Sequence, residues 1–170
     1  MDLRKEKTLK AVKNAFIELR SKKPLEKITV KELSEKAEIS KATFYLHYRD
    51  IYDLSETLQR DVIKDILNNI GNPESCLTDI SKFTEELFQA FISQQNLIGI
   101  LFSGSQAAIL PHYIKKELYG YICKLVPEDK ITHKFNIILS YRIYGEFFAF
   151  KEYYKQYDTK ELLDVLKEMG

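Results

Sequence analysis

Apolar residues recur along this chain at intervals of three and four, a spacing that suits helix and little else. Leu9, Val12, Phe16 and Leu19 fall on one face of a first helix of roughly five turns. Lys5, Lys7, Lys10 and Lys13 lie mostly around the rest of it. The tetrapeptide "KKPL" ends that helix, because Pro24 restricts the residue before it and cannot extend the turn. In "TVKE", Thr29 and Glu32 form a capping box: the Thr29 hydroxyl accepts from the Glu32 amide while the Glu32 carboxylate reaches back. A short helix follows through Val30, Leu33 and Ala37, and Ser40 can cap the next. Asp50, with Asp53 three residues on, opens a long amphipathic segment to Asn69, and "GNPES" at 71–75 is the clearest break in the chain. Beyond it the pattern predicts a helix over 77–96, a short apolar segment "LIGILF", and a turn at "SGSQ". A helix that stops at Pro127, a long helix from 130 to about 156 and a closing one over 159–169 complete the chain. No strand and no internal repeat is read, so the expected fold class is all-α.

Charge divides the chain in two. Residues 1–49 hold 13 Lys and Arg against 7 Asp and Glu, a balance of +6, while residues 50–170 hold 13 against 18, a balance of −5. The net charge of +1 hides an N-terminal surface suited to a polyanion and a neutral-to-acidic remainder.

The segment "SKATFYLHYRD" at 40–50 sits in the basic part. Two short helices at 29–37 and 40–47, joined by about three residues and preceded by a longer one, match a helix-turn-helix, whose second helix enters the DNA major groove. Phe44 and Tyr48, four apart, share one side and are the expected core anchors against Phe16, Leu19 and Leu33. The outward arc then presents Ala42, Thr43, Tyr45, Leu46 and His47. Thr43, Tyr45 and His47 can donate to phosphates, and Lys41, Ala42 and Thr43 can reach base edges from the helix start. Leu46 can touch a thymine methyl. The same arc also suits an ordinary solvated helix face, because this geometry occurs in proteins that bind no DNA.

Across about the first 60 residues, "TLKAVKNAFIELRSKKPLEKITVKELSEKAEISKATFYLHYRDIYDL" resembles the DNA-binding domain of the TetR family of bacterial transcriptional regulators. The specific part is "ITVKELSEKAEISKATFYLHYRDIYDL": a Thr-started helix, a turn, then an aromatic-rich helix ending in Tyr-x-His-aromatic. The resemblance implies a DNA-binding domain over 6–66, with the helix-turn-helix at about 29–48, and a helical dimerisation and effector-binding domain over 67–170. It implies phosphate contacts from Tyr45 and His47 and base contacts from Lys41, Ala42, Thr43 and the variable Leu46. Thr29 and Lys31 would face the flanking backbone, next to Ser40 at the helix cap. Two positions depart from the family pattern. Glu38 stands where a turn Gly is usual, and Ile51 where a Lys is usual, so that Arg49 or the N-terminal lysines would supply the missing phosphate contact.

The C-terminal part "LSYRIYGEFFAFKEYYKQYDTKELLDVL" (139–166) is similar to the branch of that family related to dihydroxyacetone-kinase regulators. The likeness implies that the last two helices, 130–156 and 159–169, pair with those of a second copy as a four-helix bundle. Gly145 would allow close approach, and Ile138, Tyr141 and Phe148 would supply area. The alternative is that these side chains fill the core of one protomer. Residues 61–170 carry 8 Tyr and 8 Phe, a composition that suits an interface or a lined cavity. His112, Tyr113, Tyr119, Arg142 and Glu146 are the candidate pocket groups.

Catalysis finds no support: the chain has no GxSxG, P-loop or HExxH, and no paired-cysteine site. Three isolated histidines, at 47, 112 and 133, make no metal constellation, so neither a metal nor another cofactor is expected. Cys76 and Cys123 are expected as buried thiols in a reducing cytosol. The charged N-terminus and the lack of 18 consecutive apolar residues point to a cytoplasmic protein without a membrane partner. The sequence thus predicts a homodimeric regulator of operator DNA, a repressor released by a small effector. A protein–protein adaptor or co-activator without its own ligand is the alternative.

Overall fold

A computed structural model describes residues 3–71 and 75–168. The described chain is all-α and contains no strand. The helices are α1 (Leu3–Arg20), α2 (Val30–Lys36), α3 (Lys41–Tyr45), α4 (Ile51–Asn68), α5 (Ser75–Thr78), α6 (Ile80–Ser93), α7 (Gln95–Leu101), α8 (Leu110–Leu125), α9 (His133–Tyr153) and α10 (Thr159–Glu168). Two compact units result, one of residues 1–62 and 96–107, the other of 63–95 and 108–170.

In the first unit α1 packs on α2 and α2 on α3. Val12, Phe16 and Leu19 of α1 are buried as their spacing requires, together with Leu25, Leu33, Phe44, Leu54 and Leu58. A fully buried Phe contributes on the order of 1.5–3 kcal/mol, and Phe16 and Phe44 are both fully buried. Thr29 caps α2 by accepting from the Glu32 amide at 3.3 Å. The Glu32 carboxylate does not complete the box; it pairs with the Lys23 ammonium. α2 ends in a Schellman motif, with Ile39 N–H bonded to Ser34 O (3.0 Å) and Glu38 N–H to Glu35 O (3.3 Å). That motif needs a left-handed residue after the C-cap, and Glu38 supplies it with φ 55°.

Residues 96–107 complete this unit. Leu101 and Phe102 are buried, and three polar side chains bind the turn behind them. Arg20, only 4% exposed, donates to Ser103 O (3.2 Å), Ser103 Oγ (2.7 Å) and Lys23 O (3.0 Å). Its burial pushes the guanidinium pKa down, against the pull of Glu26. Gln59 donates to Leu101 O (2.9 Å), and Ser105 donates to the Glu26 carboxylate (2.6 Å).

In the second unit α6 packs on α5 and α10, and α9 on α8 and α10. Phe88, Leu162 and Leu166 form a cluster joined by Ala149, Phe150 and Leu163. Pro127 ends α8 as expected, with Val126 extended at its C-cap. Two expectations are corrected here, and the apolar segment "LIGILF" gains a conformation. The helix expected over 77–96 is broken, because Asp79 accepts from the Lys82 amide (3.0 Å) and starts α6 afresh. "LIGILF" is largely helical, lying mostly within α7. The long helix starts at His133 rather than 130, since Thr132 caps it by accepting from Phe135 N–H (3.1 Å) after a single 3-10 turn. The middle of "GNPES", residues 72–74, lies outside the described residues, as does the end of the closing helix beyond 168. Cys123 is an exposed free thiol and not a buried one, because it lies on the solvent side of α8; the Cys76 side chain lies outside the description.

Candidate functional site

α3 is a short helix held at both ends. Ser40 is its N-cap, accepting from Thr43 N–H (3.0 Å) and sharing a hydrogen bond with the Thr43 hydroxyl (2.9 Å). Both hydroxyls therefore serve the cap before they serve any ligand. Phe44 is fully buried, and its ring lies 5.6 Å from that of half-buried Tyr48. Burial raises the Tyr48 phenol pKa, with Asp61 and Asp53 adding to it.

The opposite arc is open. Lys41, Ala42, Tyr45 and Leu46 are exposed, while Thr43 and His47 are half-buried. Leu46, the C-cap residue of α3, is 80% exposed. Thr29 and Lys31 are exposed at the start of α2, where Lys31 faces Glu35 at 4.0 Å. The positions named from sequence thus occupy the first turns of α2 and α3 and the residues just after α3.

Arg49 is exposed but engaged. Its guanidinium meets Asp53 Oδ1 at 3.1 Å, and its backbone N–H donates to Asp53 Oδ2 at 2.9 Å. Asp50 caps α4 by accepting from Asp53 N–H at 2.8 Å. The Arg49 backbone and guanidinium hold the Asp53 pKa below its ordinary value, and Asp53 raises that of Arg49. Sequence reading passed over this tether, although the four-residue spacing could have shown it. It also passed over Tyr52, exposed on the first turn of α4.

In the second unit the candidate pocket residues fall into separate groups. His112 is exposed on α8, with half-buried Tyr113 beside it at a ring separation of 6.3 Å. Tyr119 is exposed farther along α8; its hydrogen bond with Cys123 raises its pKa, and one with Asn136 opposes that. Arg142 and Glu146 form an ion pair on α9 at 3.0 Å, both side chains largely buried. Burial raises the Glu146 pKa against the pull of Arg142, and Arg142 Nη2 is buried without a hydrogen-bond partner. None of the five lines the open cleft of about 290 Å³ that lies elsewhere in this unit.

α9 is apolar on both sides. Leu139 and Ile143 are buried, whereas Ile138, Tyr141 and Phe148 are exposed, with Gly145 exposed among them. Positions 138, 141, 145 and 148 step by three and four along one stripe, which Ile137 widens. A Cβ added at Gly145 would meet nothing within 4 Å. Among the described residues no three His, Cys, Asp or Glu converge as metal ligands, and no single helix is long and apolar enough to cross a membrane.

No family model matches the chain. It is similar to an uncharacterized HTH-type transcriptional regulator, YxbF, of Bacillus subtilis (strain 168), with 37% identity over 60 residues. That match takes in 35% of this chain and only 15% of the Bacillus protein.

Proposed function

We propose that the chain is a sequence-specific DNA-binding transcriptional regulator of the TetR kind. α2 and α3 form its helix-turn-helix, and α3 enters the major groove. The observation that carries this reading is the two-sided build of the segment after Ser40: Phe44 is fully buried, while Leu46 is left 80% exposed beside exposed Lys41, Ala42 and Tyr45. An apolar side chain held out in water is consistent with contact to a base-edge methyl. The +6 balance of residues 1–49 and the likeness to the Bacillus regulator support the same reading.

In this reading Tyr45, His47, Thr29 and Lys31 bind phosphates, with Arg49 available once it leaves Asp53. Lys41, Ala42, Thr43 and Leu46 read bases. The exposed α9 stripe of Ile138, Tyr141, Gly145 and Phe148 supports a homodimer closed through α9 and α10. An isologous dimer presents two recognition helices and so requires a palindromic operator. The dimer acts as a repressor, and a small effector releases it by favouring the state with lower operator affinity. The exposed tyrosines 153, 154 and 157 at the end of α9 favour a second reading, an adaptor that holds another protein there.

Titration of a selected operator at several salt concentrations tests the first reading. Log affinity falls with log salt if cationic side chains displace counterions. Tyr45→Phe and His47→Ala weaken binding equally for all sequences, whereas changes at Lys41, Thr43 or Leu46 alter the preferred sequence. A full chain that binds no duplex at low salt, and instead retains a protein partner, decides for the adaptor.

A further inference from the structure

The outermost point of α3 carries no hydrogen-bonding side chain. Ala42 and Leu46 each stand two residues from fully buried Phe44, about 160° away around the helix axis, and only about 40° from one another. Leu46 keeps the helical path as the C-cap, with φ −68° and ψ −20°. Both side chains are exposed. The hydroxyls at the start of the helix are committed to its cap: Ser40 Oγ accepts from Thr43 N–H at 3.0 Å and shares a hydrogen bond with Thr43 Oγ1 at 2.9 Å. The centre of the open face is therefore hydrocarbon, a methyl from Ala42 and an isobutyl group from Leu46.

Cationic side chains flank this centre. Lys31 and Lys41 are exposed at the starts of α2 and α3, and residues 1–49 carry a balance of +6 against −5 for the rest of the chain. That charge matches the polyanionic duplex as the occupant of the face. In the major groove the bases present ring nitrogens, carbonyl oxygens and amino groups, and thymine alone adds a methyl. An aliphatic side chain pressed on the polar groups leaves them dry and unpaired, a cost that the methyl does not impose. Ala42 and Leu46 lie about 6 Å apart along the helix axis and stacked base pairs about 3.4 Å, so the two side chains span roughly one to two base steps. We infer that each half-site of the operator carries two thymines on nearby base pairs, read through their C5 methyl groups by Ala42 and Leu46. This names the class of sequence that α3 recognises, and it rests on the regulatory reading above for the placement of α3 in the major groove.

The test uses the full chain and the duplex that it selects from a random pool. Each thymine of that duplex is replaced in turn by deoxyuridine, which removes the C5 methyl and leaves every hydrogen-bonding group in place. Two positions in each half-site should respond, affinity falling about three- to fivefold at each, the scale of one buried methyl or methylene group. The ratio of affinities for the thymine and uracil duplexes is then measured in Leu46→Ala and in Ala42→Gly. A ratio taken with one protein on two duplexes cancels any loss of stability in the variant. Leu46→Ala should bring the ratio close to one at one of the two positions, and Ala42→Gly should do so at the other. Uracil duplexes that all bind as tightly as the selected one overturn the inference, as does a ratio that either substitution leaves intact. Failure to bind any duplex at low salt refutes the regulatory reading itself, so the two failures are told apart.

Discussion

Glu38 stands in the left-handed region at the C-terminal turn of α2, and replacing it tests whether the Schellman geometry is strained. A non-glycine residue there carries about 1–2 kcal/mol of steric strain between Cβ and the following carbonyl. Glu38→Gly removes that strain but gives the unfolded chain more freedom, which costs about 0.5–1 kcal/mol. The turn's hydrogen bonds run through the backbone of Glu38 and Ile39, and the exposed Glu38 side chain takes no part in them, so the substitution removes no tertiary contact. The net expectation is a gain of roughly 0.5–1 kcal/mol, or about 1–4 °C in Tm for a protein of this size. Urea unfolding at constant m-value measures it, with Glu38→Ala as the control that keeps a Cβ and therefore the strain. A Gly variant no more stable than the wild type refutes the strain argument, and so does an Ala variant that gains as much.

Asp53→Asn keeps an acceptor for the Arg49 amide but releases its guanidinium, so operator affinity should rise about two- to tenfold at low salt and the salt slope should steepen; a titration series checks both. A Cβ at Gly145 has no atom of its own protomer within 4 Å, so Gly145→Leu should raise helix stability by about 0.5–1 kcal/mol yet weaken self-association by about tenfold or more. Sedimentation together with thermal unfolding separates the two effects, and a variant that stays dimeric moves the interface off this stripe. Glu18 is hydrogen-bonded to Lys22 and Lys36, which lower its pKa from an ordinary 4.5 to about 2. A depressed carboxylate stabilises the fold above pH 4.5 and loses that contribution as pH falls toward 2. The stability difference between the wild type and Glu18→Gln should therefore shrink across that window, as denaturant titrations at stepped pH would record.

Local chemistry made much of the architecture legible in the sequence. The three-and-four spacing of Val12, Phe16 and Leu19 matched their burial, and Thr29, Ser40 and Pro127 mark real helix boundaries, because caps and prolines act within a few residues. Asp79 is a cap of the same kind, but the three-residue spacing of Leu77, Ile80 and Phe83 runs across it and masked the break. Arg20 was illegible for a different reason. Its partner Ser103 lies 83 residues away, and an arginine at a helix end looks solvated until the distant turn arrives. In the candidate interface, the exposure of Leu46 followed from the helix period once Phe44 was placed inside. The engagement of Arg49 by Asp53 was not legible in the +6 balance, because a net charge does not show which cation is held by which carboxylate. In the second unit, aromatic content indicated surface or cavity without distinguishing them, and side-chain contacts separate residues that composition had grouped.

The first unit is discontinuous in the chain, and this governs the order in which it can be built. Its first stretch ends at residue 62 and its closing segment begins at 96. Arg20 and Gln59 have no Ser103 and Leu101 to bind until residues up to 107 have left the ribosome. At synthesis rates of about 5–20 residues per second, the 45 residues from 63 to 107 impose a wait of roughly 2–9 s. During that interval the nascent head carries a buried-type guanidinium and the surface that Leu101 and Phe102 later cover, both open to solvent. A fragment cut at the end of α4 stays in that state permanently. Transplanting the head into a chimera therefore requires residues 96–107 to travel with it, joined by a linker in place of 63–95.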